Sequence, residues 1–261
     1  MALRKLSSSS ITRGLTTGFI GQNVIYHPRL PSTMDAARHE ARRGIPEGTV
    51  IIAGEQTEGR GRQQRAWVSP SGNIAMSIVL YPDVGSLPYL VMMASLAVTH
   101  SIEEITGLHT QIKWPNDILV DGKKVSGILI ENQVKRGRVV YALVGIGINV
   151  DLKAADIAGI PTAVTSLKAE LDRRIMRTSL IKNLLTELER LYLLLPAGGS
   201  IFRAWRDRLW TLGKEVAVIS GEDVLDGVAE SVDEDGALML RCADGTLMKC
   251  VAGDVSLRHN K

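Results

Sequence analysis

Apolar residues recur at helical spacing through residues 178–195, where Leu180, Leu184, Leu188, Leu191 and Leu195 share one side of a helix. The run Pro196-Ala197-Gly198-Gly199-Ser200 breaks that pattern and marks a boundary. Further upstream, Ser32 followed by Asp35 reads as a capping box, opening a helix through Ala36, Ala37 and Ala41 that stops at Gly44. Ser86 reads as the cap of a long helix with Leu90, Met93, Ala94, Ala97 and Val98 on its apolar side. Between the helices lie strand patterns. Residues 49–53 form a short β-branched run, 73–81 a second strand, and 139–150 a continuously apolar one that expects burial on both faces. Residues 118–120 and 125–130 flank Asp121-Gly122, a pair suited to tight hairpin turns. From 215 to 257 about five short strands alternate with acidic and glycine-containing turns, the spacing of a small barrel. The pattern predicts an α+β chain: a flexible leader over 1–20, a mixed-sheet domain over 21–200 and a small β-barrel domain over 201–261.

Composition narrows this picture. Of 261 residues, 45% are apolar and 23% charged, as in ordinary globular proteins. The net charge of +3 is too small for strong nonspecific nucleic-acid binding. Residues 215–257 hold two basic against ten acidic side chains, a formal charge of −8, so this part offers no basic face to DNA. The densest apolar run, 191–195, is far too short to cross a bilayer. The first 34 residues have no acidic side chain and four Lys or Arg, which resembles an organelle transit peptide only faintly and a flexible leader more. A hairpin turn at Asp244-Gly245 would set Cys242 opposite 247 and Cys250 opposite 239. The thiols would then be about 10 Å apart, beyond disulfide reach. Reduced thiols and a cytoplasmic setting follow.

The candidate chemistry begins at Gly59-Arg60-Gly61-Arg62-Gln63-Gln64-Arg65-Ala66-Trp67. Arginine offers a planar fork to carboxylate and phosphate oxygens, and glycine lets a loop approach an anion and rearrange. Downstream come Lys113-Trp114-Pro115-Asn116-Asp117, then Lys124-Val125-Ser126-Gly127, then Gly145-Ile146-Gly147-Ile148-Asn149. Upstream are Ser32-Thr33-Met34-Asp35 and Gln56. No phosphate-binding Gly-x-x-x-x-Gly-Lys loop is present, and Val150 stands where a dinucleotide fingerprint starting at Gly145 needs glycine. The histidines, at 27, 39, 100, 109 and 259, lack metal-ligand spacing, so no protein-held metal is expected.

This ordered set resembles the biotin protein ligases along nearly the whole chain. The resemblance implies a catalytic domain like that of class II aminoacyl-tRNA synthetases and an SH3-like C-terminal domain. It implies ATP-dependent activation of biotin to biotinyl-AMP, with Mg2+ held mainly by ATP phosphates and water. Biotin then passes to a lysine of a biotin carboxyl carrier domain. On matching positions, Lys124 contacts biotin and the acyl-phosphate, and Arg60, Gly61 and Arg62 close on biotin and the adenylate. Ser32, Thr33 and Met34 border the ureido group, with Gln56 beside them. Arg65, Trp67, Lys113, Asn116 and Asn149 serve ATP or the adenylate. Asp117 orients or deprotonates the incoming amine, which makes Lys124, Arg62 and Asp117 the catalytic set. Three features depart from the family: Met34 where Asn is common, Gln64 where glycine is usual, and a segment 151–167 without an aromatic to stack on adenine. The alternatives are a lipoate or octanoate transferase and a biotin-sensing repressor. Only 31 residues precede Ser32, without an amphipathic helix pair, so the expected form lacks an N-terminal DNA-binding domain. The expected partner is the carrier domain, with a homodimer allowed and no DNA or membrane.

Overall fold

Side chains alternate across a strand, so a strand apolar at every position needs cover on both faces. The computed structural model describes residues 6–153, 156, 163–220, 223–251 and 253–257, and its central sheet meets that requirement. Seven strands run in the order β1 (Val24–His27), β2 (Val50–Ala53), β3 (Ile74–Leu80), β7 (Arg138–Ile148), β6 (Lys123–Lys135), β5 (Asp117–Val120) and β4 (Gln111–Lys113). The β1–β2 pair is parallel and the others antiparallel. Every residue of β3 is buried, as is β7 from Tyr141 onward. Ile51, Val79 and Leu143 pack with Met34, Ala37 and Ala41 of helix α2 (Thr33–Arg42). Their strand neighbours Val50, Ile52, Ile78, Leu80 and Val144 join the main core, which includes α3 (Tyr89–Thr106) and α5 (Arg177–Tyr192). Fully burying one such side chain stabilises by about 1.5–3 kcal/mol.

Several local expectations change on contact with the rest of the chain. Ser32 is the N-cap of α2, but its side chain makes no capping bond. The reciprocal bonds of the box are not made: the Asp35 carboxylate faces Arg38 and Arg60, and Gln56 Oε1 instead accepts the Thr33 amide at 2.8 Å. Ser86 closes a 3-10 turn (Val84–Ser86), and Pro88 caps α3 instead. Residues 6–20 are no flexible leader. Ser7 caps α1 (Ser8–Thr12) with a complete box, Leu6, Ile11 and Ile20 insert into the core, and Glu189 of α5 accepts backbone N–H bonds from Gly18, Phe19 and Ile20.

The second sheet is antiparallel, in the order β11 (Leu247–Cys250), β10 (Leu238–Arg241), β9 (Asp223–Val232), β8 (Glu215–Ser220), β12 (Asp254–Leu257), and it fits the SH3-like expectation. Its hairpin register is one residue off the expected one. Cys250 pairs with Leu238, and the Cys242 amide donates to Thr246 O, which leaves the two free thiols four positions apart. The cause is a three-residue loop ending in left-handed Gly245 (φ 85°) where a two-residue turn was assumed.

The two sheets are joined beside the site. Residues 208–210 extend the edge of β4 through Ile112 N–H to Arg208 O (3.0 Å) and Trp210 N–H to Ile112 O (2.8 Å). Trp114, only 2% exposed, donates its amide to Thr211 Oγ1 and its indole N–H to Gly236 O. It is a structural joint.

Candidate active site

One cavity of about 840 Å3 opens between the middle of the large sheet, the start of α2, the arginine loop and β12, and every site residue expected from the sequence lines it. Its floor explains the glycines of β6 and β7. A Cβ on Gly147 would lie 2.4–2.5 Å from Trp67 Cε2, Cζ2 and Nε1, and one on Gly145 would lie 2.6 Å from Met34 Sδ. The glycines therefore make room for two large side chains that shape the cavity.

At the α2 end the walls are polar. Ser77 donates to Thr33 Oγ1 (2.8 Å), and Thr33 donates both its hydroxyl (3.0 Å) and its amide to Gln56 Oε1. That leaves the Gln56 Nε2 group as its donor. The Ser32 hydroxyl is buried without a hydrogen-bond partner, an expensive arrangement unless a ligand completes it. Met34 is 4% exposed and packs against Gly145, which supplies apolar contact where the family often carries an amide.

Cations gather at the other end. Lys124 Nζ stands 2.6 Å from Asp117 Oδ1 and 5.3 Å from the centre of the Trp67 ring. The tight turn at Asp121 (φ 47°) and Gly122 (φ 74°) leads into the strand that carries it. Burial pushes the Lys113 ammonium below its ordinary value, with Asp117 opposing that shift and Lys124 adding to it. Burial likewise lowers Arg62, against the pull of Asp254 and Asp117. Arg62 Nη1 donates to Gly253 O (3.1 Å) and, more weakly, to Asn116 Oδ1 (3.4 Å). Asn116 and Asn149 are anchored as well: their Nδ2 groups donate to Ile128 O (2.6 Å) and Thr165 O (3.1 Å).

The arginine loop is folded upon itself through Gly61 N–H to Arg65 O (2.8 Å) and Trp67 N–H to Gly59 O (2.8 Å). Its left-handed residue is Gln63 (φ 51°), so the substitution of the family glycine by Gln64 falls next to the turn's demanding position. Arg60 is paired with Asp35, outside the cation cluster. Arg65 Nη2 lies 2.6 Å from Asp254 Oδ2. The segment 151–167, expected to cover the adenylate, lies partly outside the described residues. Its described part bonds Lys124 on both sides, through Lys124 N–H to Ala163 O and Thr165 N–H to Lys124 O. Sequence reasoning missed Ile219, Asp254, Val255 and Ser256, which bring the second sheet into the cavity wall. No local motif marks them.

Among the described residues no group of three His, Cys, Asp or Glu could hold a metal, and no helix is long and apolar enough to cross a membrane. Both carboxylates in the cavity, Asp117 and Asp254, already face cations.

A model of the Biotin/lipoate A/B protein ligase family matches residues 26–149, and a model of the Biotin protein ligase C terminal domain matches residues 211–258. The Bifunctional ligase/repressor BirA of Bacillus subtilis (strain 168) is 38% identical over 259 residues, covering 97% of this chain and 79% of that protein. The Biotin--[acetyl-CoA-carboxylase] ligase of Paracoccus denitrificans is 33% identical over 207 residues, 76% of this chain and 86% of that protein. Among solved structures, the biotin protein ligase from Aquifex aeolicus in complex with biotin and ATP superposes with a TM-score of 0.74 at 26% identity, covering 92% of this chain and 100% of that one. With identity sustained along nearly its full length and both family models matched in order, this chain belongs to the biotin protein ligase family.

Proposed function

We propose that this cavity performs both half-reactions of biotin ligation, with the division of labour set by its two ends. The observation that carries the reading is the pairing of a polar pocket, with a partnerless Ser32 hydroxyl, against a cluster of Lys113, Lys124 and Arg62 in the same cavity. The biotin ureido ring would sit against Ser32, Thr33 and Gln56, and its carboxylate would reach Lys124. An oxygen of that carboxylate attacks the α-phosphorus of MgATP, and the bond to pyrophosphate breaks. Lys124, Arg62 and Lys113 would offset the charge that builds where two anions meet, a contribution that rests on preorganised cations.

In the second half, the ε-amine of a carrier-domain lysine attacks the acyl carbon and AMP leaves with the electrons of the broken C–O bond. Asp117 would take the amine proton, a role supported by its carboxylate lying beside Lys124. Arg60 and Gly61 would close over the adenylate, with Arg65, Trp67, Asn116 and Asn149 serving the nucleotide. Residues 21–200 would carry this chemistry and residues 201–261 would complete the wall. The free thiols suit a reducing cytoplasm. The charge of residues 215–257 argues against DNA as a ligand of that part.

A lipoate or octanoate substrate fits less well, because neither a dithiolane ring nor an alkyl end would pair well with the buried Ser32 hydroxyl. The test is ATP–pyrophosphate exchange in the full chain. Exchange should depend on biotin and be negligible with octanoate or lipoate. Exchange driven equally by either fatty acid would overturn the reading.

A further inference from the structure

The arginine turn leans on the start of β12 at both of its ends, and the two contacts differ in kind. Arg62 donates to a neutral partner, the Gly253 carbonyl, while the Asp254 charge also acts on it. Arg65 meets a carboxylate, Asp254, whose Oδ2 lies 2.6 Å from its Nη2 as an ion pair without hydrogen-bond alignment, which leaves this buried oxygen without a hydrogen-bond partner. Both residues line the cavity beside Lys113. Asp254 thus places a negative charge where the polyphosphate of ATP, itself strongly anionic, would seek Arg65.

We propose that Asp254 is a positioning residue that competes with the ATP polyphosphate for Arg65. This rests on the biotin ligase reading of the cavity. While the phosphate site is empty, Asp254 holds Arg65 against the second sheet. When MgATP enters, phosphate oxygens take the guanidinium and Asp254 gives it up. When pyrophosphate leaves, Arg65 returns to Asp254, which favours release and keeps the turn folded over the remaining adenylate. No covalent bond changes in this exchange. It passes only an ion pair between an internal and an incoming anion.

The geometry limits the size of the effect. The Arg65 side chain is 58% exposed and that of Asp254 24%, so water screens the pair and its removal shifts binding by about three- to fivefold, not by orders of magnitude. Added salt should shrink the effect, because the pair is partly solvated.

The competition has an unusual sign that makes it testable. Neutralising a cavity residue ordinarily weakens ligand binding, whereas Asp254→Asn should tighten it. Equilibrium binding of a non-hydrolysable ATP analogue with magnesium is to be measured on the full chain as wild type, Asp254→Asn, Arg65→Gln and the double variant. Biotin binding to each preparation serves as the check on folding, and Asp254→Ser replaces Asp254→Asn if the latter does not bind biotin. The expected result is a three- to fivefold tighter analogue in Asp254→Asn and a stronger inhibition by pyrophosphate. In the Arg65→Gln background the Asp254 substitution should have a clearly smaller effect, the remainder acting through Arg62 and Lys113. Unchanged or weaker analogue binding in a variant that still binds biotin overturns the proposal, as does equal tightening with and without Arg65. Should wild type bind the analogue but never transfer biotin to a carrier domain, the functional reading fails while this comparison still decides the competition.

Discussion

Replacing Lys124 by alanine separates the chemistry of the cavity from the stability of the fold. Lys124 Nζ is 2.6 Å from Asp117 Oδ1 and 5.3 Å from the Trp67 ring centre, with its side chain 25% exposed. A partly solvated ion pair contributes up to about 1 kcal/mol, and the contact with the Trp67 face about 0.5–1 kcal/mol. Against these losses, Lys113 is freed from a like charge. The net cost to folding is therefore about 1 kcal/mol, a fall of about 2–4 °C in Tm for a chain of this size. The cost to reaction is larger, because a preorganised cation where anionic charge builds is worth about 2.7–4 kcal/mol, or a factor of 100–1,000 in rate. Single-turnover formation of biotinyl-AMP and thermal melting on the same preparation read the two quantities apart. Biotinyl-AMP formation within about threefold of wild type would refute the placement of Lys124. A collapse of Tm matching the loss of rate would show its role to be structural.

Gly147→Ala should weaken biotin binding and cost about 1–3 kcal/mol of stability, since the new Cβ would meet three atoms of the Trp67 indole within 2.5 Å; unchanged biotin affinity by calorimetric titration would remove Trp67 from the floor. Burial lowers the Lys113 pKa from its ordinary 10.5, and only the protonated form attracts phosphate. Apparent ATP affinity should therefore fall as pH rises through that depressed value, and Lys113→Met should abolish the slope in KM for ATP. Glu189 is raised by burial but held below its ordinary 4.5 overall by the amides of Phe19, Gly18 and Ile20. Its stabilisation is present above the unfolded value and lost as pH falls through the depressed one. Glu189→Gln should then cost about 1–2 kcal/mol at neutral pH and nothing in strong acid, as chemical denaturation at both pH values would show.

What could be read in advance was local, and what could not was set by contacts across the chain. The leucine spacing of α5 and the Asp121-Gly122 turn follow from short-range rules, and both stand in the structure. The motifs from Ser32 to Asn149 come together around one sheet: Ser32 to Met34 open α2, which packs on it, and residues 113 to 149 lie on or beside its strands β4 to β7. Ser32 was expected to cap its helix through its side chain, yet the cap depends on Gln56, 24 positions away in the chain and next to it in space. The first residues looked like a leader on charge and serine content alone, while Leu6, Ile11 and Ile20, too few to show a period, were fixing them to the core. Gly145 and Gly147 resembled an incomplete nucleotide motif, and their purpose is visible only once Met34 and Trp67 are seen lying over them. Asp254 carried no signal at all, because its meaning comes from a second sheet folding back onto the first.

A cavity that activates biotin with ATP should also hand it to a protein lysine. Incubating the purified chain with labelled biotin, MgATP and an apo carrier domain tests it most directly. Label should appear on a single carrier lysine, depend on ATP and be lost when that lysine is replaced. Carrier left unlabelled while ATP and biotin are both bound, or labelled equally without ATP, would contradict it.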